Sequence, residues 1–199
     1  MPKPDFSKLN AGNIVDFIGD IFERRGAESY LGEKVTMSEH MLQGALLAEQ
    51  AGASDEIIAA ALLHDIGHYT NEFPEDAQDR GIDNHHDEAG AKVLENFFPS
   101  TVTDCVRHHV AAKRYLCATD PDYLAKLSEA SVLTLGLQGG PMDEGEVADF
   151  GNNPNLAAIL QVRIWDDQGK VEGLRTPPFS HYAPMLQRVV DRHSARADS

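Results

Sequence analysis

The chain has 199 residues, 42% of them apolar and 25% charged, which excludes a disordered, collagen-like or coiled-coil chain. Seventeen Lys and Arg face 32 Asp and Glu, a formal charge of −15, and such a field argues against nucleic acid or an anionic membrane as partner. No stretch approaches the roughly 18 unbroken apolar residues of a spanning helix, no signal-peptide pattern opens the chain, and two cysteines make no disulfide framework, so a cytoplasmic setting is expected.

Residues 1–11 read as a loose arm of one all-α domain covering 1–199, with 194–199 as a loose tail. Ile14, Val15, Phe17, Ile18, Ile21 and Phe22 recur at helical spacing, predicting a helix from Asn13 to Arg25 that Gly26 stops. After a loop over 27–35, Thr36 and Glu39 form a capping-box pattern for a helix to about Gln50. Asp55 opens a third helix that runs through Ile57, Ile58 and Leu63 to about Gly67. A polar loop over 69–84 precedes a helix from His86 to Phe97, and Thr101 to His109 is a fifth. Another starts at Asp120-Pro121-Asp122 and takes in Tyr123, Leu124, Leu127, Ala130 and Leu133 before the break at Gly139-Gly140-Pro141. Asn155 to Trp165 follows, then a turn over Asp167-Gln168-Gly169-Lys170, a rigid loop at Thr176-Pro177-Pro178 and a last helix from Tyr182 to His193.

The chemistry lies in the histidines. There are nine, and seven fall between His40 and His109. The apolar helix Leu62-Leu63 ends in His64-Asp65-Ile66-Gly67-His68, three ionisable groups within five residues. Burying imidazole and carboxylate without partners is costly, so metal ions are the natural partners. The aspartate has two oxygens and can bridge two ions while the histidine binds one. His85 and His86 are adjacent, and His86 is preferred because Asp87, Gly90 and Ala91 follow it at helical spacing. Of His108 and His109, His109 is preferred because it leads into Val110-Ala111-Ala112-Lys113. His181 and His193 read as surface residues. Mixed imidazole and carboxylate ligands suit iron, manganese or zinc better than magnesium or calcium.

The pattern His40, His64-Asp65, His86, His109, Asp166 resembles the HD-domain superfamily, whose fold is a helical bundle with a di-metal site in its centre. The resemblance narrows over residues 30–185. Ser29-Tyr30-Leu31-Gly32-Glu33, His109-Val110-Ala111-Ala112-Lys113-Arg114-Tyr115-Leu116, Leu127-Ser128-Glu129-Ala130-Ser131, Gln138-Gly139-Gly140-Pro141-Met142-Asp143-Glu144-Gly145-Glu146 and Arg163-Ile164-Trp165-Asp166 are similar to the mixed-valent di-iron HD oxygenases that cleave phosphonates.

That resemblance implies metal ligands His40, His64, Asp65, His86, His109 and Asp166, with Asp65 bridging two iron ions in the Fe(II)/Fe(III) state and dioxygen as co-substrate. It implies Lys113, Ser131 and Arg163 as the residues that hold the phosphonate, and Tyr30 and Glu33 on a loop over the site. His68 would be a hydrogen-bond partner just outside the ligand set. The implied reaction is oxidative cleavage of the C–P bond of a 1-hydroxy-2-(amino or trimethylammonio)ethylphosphonate to phosphate plus glycine or glycine betaine. The partner is then a small organophosphonate, with no nucleic acid and no membrane, and with no protein partner indicated. Arg163 can grip a phosphonate at two points and Lys113 adds a point charge. The alternative is an HD phosphohydrolase acting on a phosphate ester or nucleotide, with a metal-bound hydroxide as nucleophile.

Overall fold

A computed structural model of the chain describes residues 6–30, 33–70 and 85–197. Most of the polar stretch expected as a loop, 71–84, lies outside the described residues, as do residues 1–5 of the expected arm, 31–32 and 198–199. Among the described residues there is no strand, only an isolated bridge between Ser29 and Thr36.

Helix α1 (Ile14–Arg25) follows a single 3-10 turn at Phe6–Lys8. α2 (Met37–Gln50) starts at the expected capping box: Thr36 accepts from the Glu39 amide, and the Glu39 carboxylate accepts from the Thr36 amide. α3 (Asp55–Leu63) is capped by Ser54 and carries six consecutive buried residues, Ile58 to Leu63. A helix apolar on every side belongs at the centre, and α3 packs against α2, α6 (Ser100–Thr119), α9 (Leu156–Gln168) and α10 (Phe179–Ala197). α1 rests on α10, and α5 (His86–Leu94) bridges α6 and the short α4 (Gly67–Thr70). Ile18, Met41, Leu62, Leu63, Ile66, Leu94, Val106, Ile159 and Leu186 form one continuous fully buried core.

Several boundaries differ from the sequence reading. α3 stops at Leu63, and bonds from Ile66 to Leu63, from His68 to Asp65 and from Tyr69 to Ile66 tighten the chain into a turn that leads to α4. α6 runs to Thr119, ten residues past His109, because nothing stops it before Asp120-Pro121. The helix expected from Asp120 breaks in two: a 3-10 turn at Leu124–Lys126, then α7 (Glu129–Leu137) restarted by a Ser128 cap. α8 (Glu144–Phe150) was not foreseen; Asp143 and Glu146 form its capping box. α10 includes residues 194–197.

Candidate metal centre

Five elements deliver six ionisable groups to the middle of the bundle. α2 carries His40. The tight turn after α3 carries His64 and Asp65. α5 opens on His86, α6 carries His109, and α9 carries Asp166. All six side chains are buried, none more than 4% exposed. His85 takes a left-handed conformation at φ 46°, turning the chain so that His86 enters the interior while His85 stays exposed. His108 points away from the centre, its ring edge against Phe150.

The histidines form two facing pairs. His40 Nε2 lies 3.0 Å from His64 Nε2, and His86 Nε2 lies 3.0 Å from His109 Nε2. Three of the rings are fixed from behind. His40 Nδ1 donates to the Gly169 carbonyl at 2.9 Å, His64 Nδ1 to that of Ala61 at 2.9 Å, and His109 Nδ1 to that of Val106 at 2.8 Å. A carbonyl only accepts, so in those neutral rings Nε2 is left as an acceptor. Two acceptors 3.0 Å apart repel unless a cation lies between them.

Asp65 stands between the pairs. Its Oδ2 is 3.4 Å from both His40 Nε2 and His64 Nε2, and its Oδ1 is 3.4 Å from His86 Nε2 and 3.2 Å from His109 Nε2. Asp166 Oδ1 is 3.4 Å from His40 Nε2. Asp65 Oδ2 and Asp166 Oδ1 are buried with no hydrogen-bond partner. Burial alone would push both carboxyls up. The surrounding imidazoles, His64 foremost, hold Asp65 well below the usual carboxylate range, and the Arg163 guanidinium does so for Asp166. Burial would lower His40, but the nearby Asp166 and Asp65 carboxylates outweigh that and raise it to about 9, so without an ion the position draws a proton. Orphaned carboxylate oxygens, paired imidazole lone pairs and ionised aspartates together fit two metal ions. His40, His64 and Asp65 offer ligand atoms within 4.8 Å of one another; Asp65, His68 and His86 do the same.

His68 stacks on His86 at 4.0 Å and its Nε2 is 3.8 Å from Asp65 Oδ1. Burial and the neighbouring His86 push its pKa down, so it is held neutral. Tyr30 stacks on His40 at 4.0 Å. Burial, with the charges of Asp65 and Asp166, keeps its hydroxyl protonated.

A cleft opens over the Asp65, His86 and His109 side of this centre. Tyr30, Glu33, Lys113, Ser131 and Arg163 all line it, so the residues singled out in the sequence meet at one place. Lys113 follows His109 by one helical turn on α6 and donates to Thr134 Oγ1 at 2.7 Å. Arg163 sits one turn before Asp166: its Nη1 is 2.6 Å from Asp166 Oδ2, its Nε is 3.1 Å from the Tyr123 hydroxyl, and it pairs with Asp167. Removing Arg163 therefore disturbs the carboxylate that faces His40 as well as the cleft.

Three polar lining residues were given no role in the sequence reading: Lys170, Thr134 and Gln138. Lys170 lies in what read as a plain turn after α9, yet its Nζ is 3.1 Å from Ser131 Oγ, 3.6 Å from Glu33 Oε1 and 5.6 Å from the Tyr30 ring centre. Its neighbour Gly169 supplies the carbonyl that orients His40. A third basic residue close to the Arg163–Asp166 segment was the available signal. Thr134 and Gln138 repeat from Ser131 at intervals of three and four, the spacing of one helix face.

The HD domain family matches residues 37–138. Over 193 residues, 97% of this chain and 98% of the relative, the chain is 64% identical to a [1-hydroxy-2-(trimethylamino)ethyl]phosphonate dioxygenase (glycine-betaine-forming) of Leisingera caerulea. It is 41% identical over 181 residues, 90% of each chain, to a hydroxymethylphosphonate dioxygenase of Gimesia maris. An uncharacterised protein of Acanthamoeba polyphaga mimivirus is 36% identical over 174 residues, 86% of this chain and 80% of its own length. A buried, metal-fitting cluster of histidine and aspartate on this bundle, with those relatives, places the chain in the HD-domain family, in the branch of the phosphonate dioxygenases.

Proposed function

We propose that this chain uses two iron ions, as Fe(II) and Fe(III), and dioxygen to cleave the C–P bond of 1-hydroxy-2-(trimethylammonio)ethylphosphonate, giving glycine betaine and phosphate. The sum balances: the hydroxylated carbon is oxidised to a carboxylate, both oxygen atoms of O2 enter the products, and one proton is released. The observation that carries this reading is a cleft that gathers three basic side chains, Lys113, Arg163 and Lys170, over Asp65 and the His86–His109 pair in a protein of charge −15. Such a cleft fits a small dianion held beside a metal centre. The substrate named for the 64% identical relative supports the trimethylated amine.

In this reading His40, His64 and Asp166 would hold one ion and His86 and His109 the other, with Asp65 between the pairs. The ions supply Lewis acidity and electron transfer to dioxygen. The rest of the work falls to the side chains of the cleft. Lys113 gives the phosphonate a point charge, Arg163 a planar donor edge and Ser131 a hydroxyl. Arg163 also anchors Asp166 through Oδ2, which leaves Oδ1 turned to His40. Glu33 gives the ammonium end a counter-charge, since a trimethylammonium cannot donate hydrogen bonds. Tyr30 and His68, one protonated and one neutral, offer a hydrogen-bond donor and an acceptor beside Asp65.

The test is phosphate release by iron-loaded protein, with and without oxygen, from the trimethylated and the primary-amine substrates. Oxygen-dependent release, faster with the trimethylated compound, is the expected result. Oxygen-independent release from ordinary phosphate esters, with none from either phosphonate, would replace this reading with a phosphohydrolase.

A further inference from the structure

The run from Gln138 to Glu146 is specific, yet only its first residue lines the cleft. The helix before it explains why. α7 supplies Ala130, Ser131 and Thr134 to the cleft wall, but only Ser131 and Leu135 of its residues are buried. No side chain of α7 belongs to the continuous apolar core, and Val132 and Leu133 are 45% and 66% exposed. A helix without an apolar anchor takes its position from polar tethers.

Two of these tethers lie inside the cleft, Lys113 Nζ to Thr134 Oγ1 at 2.7 Å and Lys170 Nζ to Ser131 Oγ at 3.1 Å, and a third ties the cleft-lining Glu33 Oε1 to Ser128 Oγ at 2.6 Å. They use the very groups that, in the phosphonate reading on which this inference rests, turn to substrate. The fourth lies outside. Arg114 follows Lys113 on α6, about 100° round the helix. Its Nε donates to the Gly140 carbonyl at 2.8 Å, and one terminal nitrogen donates to both Glu146 oxygens at 2.9 and 2.8 Å. Its own carbonyl accepts from the Met142 amide at 3.2 Å. Glu146 is in turn locked by its capping box with Asp143, at 2.8 and 3.0 Å. Gly139 (φ 95°) and Gly140 (φ 77°) make the left-handed exit that brings this loop under the guanidinium, and the Gly140 amide closes α7 on the Leu135 carbonyl at 2.9 Å.

We infer that Arg114 is a positioning residue: from α6 it holds the C-terminal end of α7, and so keeps Thr134 and Gln138 on the cleft wall while substrate engages Lys113 and Ser131. The conserving device is a fork that spans a backbone carbonyl and a carboxylate, which lysine cannot reproduce.

Iron-loaded wild type, Arg114→Ala, Arg114→Lys and Glu146→Gln are compared by amide hydrogen exchange and by steady-state kinetics with the hydroxyphosphonate. In Arg114→Ala the amides of 135–140 should exchange at least tenfold faster, with 55–63 and the iron content unchanged, and KM should rise about tenfold with kcat within threefold of wild type. Arg114→Lys and Glu146→Gln should fall between. Unchanged exchange at 135–140, faster exchange with an unchanged KM, or iron lost in step with KM would each overturn the inference. The exchange measurement needs no turnover, so an inactive wild type would count against the phosphonate reading and leave the clamp to be decided by exchange alone. Should Arg114→Ala fail to fold, Glu146→Gln decides by the same two readouts.

Discussion

Lys113 brings an ammonium into the cleft from α6, at 3% exposure. Burial, reinforced by the Arg163 guanidinium, pushes its pKa down to about 7. The amine is a cation below that pH and loses its proton as pH rises through it, so under the proposed function its hold on a phosphonate should weaken toward alkaline pH. A hydrogen bond to a charged group contributes about 1.5–3 kcal/mol, or roughly 10–100-fold in affinity. In Lys113→Arg the charge persists across this range. The pH profile of kcat/KM should therefore fall through about pH 7 in the wild type relative to Lys113→Arg, and superimposable profiles would show that this lysine does not carry the dependence. At this scale the sequence was readable where chemistry is concentrated in one short run. His64-Asp65 at the end of an apolar helix is such a run. Lys170 was not readable, because its role depends on where a turn lands: beside Ser131 and Glu33, which are 39 and 137 residues away.

Between elements, the metal centre depends on two backbones that nearly touch. A Cβ at Gly67 would lie 1.7 Å from the His86 carbonyl oxygen and 2.8 Å from the Gly90 amide. The turn after α3 and the start of α5 can meet only because Gly67 has no side chain, and that approach brings His86 to Asp65. Gly67→Ala should force the elements apart, costing about 3 kcal/mol as an overpacked backbone contact and lowering the metal content. Thermal melting and iron stoichiometry check this, and a variant normal in both would show that α5 can retreat without disturbing His86. The helices themselves were legible where caps and periodicity agree, as at Thr36–Glu39 for α2 and at Ser54 and Ile58–Leu63 for α3. They were misread where a helix end depends on partners: α6 continues past His109 because Lys113 and Ala112 are buried, and α8 forms on a capping box tied to Arg114.

For the molecule as a whole, the centre of the core is ionic. Six titratable side chains converge where an ordinary bundle would place leucine, and their burial is unfavourable unless cations neutralise them. Bound metal should therefore stabilise the fold. At a free metal concentration about 1,000 times Kd the gain is about 4 kcal/mol, or roughly 10 °C in a chain of this size. Calorimetry before and after chelation measures it, and equal melting temperatures would show that the site contributes nothing to folding. No helix among the described residues is long and apolar enough to cross a membrane. The amino-acid sequence by itself determined the all-α class, the order of the main helices and the residue types of the candidate metal centre, because amphipathic spacing, caps and a His-Asp run are local signals. Only the tertiary structure decided that imidazoles from four different elements pair across one aspartate, that Lys170 joins the cleft, and that Arg114 pins its wall. Those contacts join residues 20 to 140 positions apart, and no local pattern encodes which distant side chain will arrive.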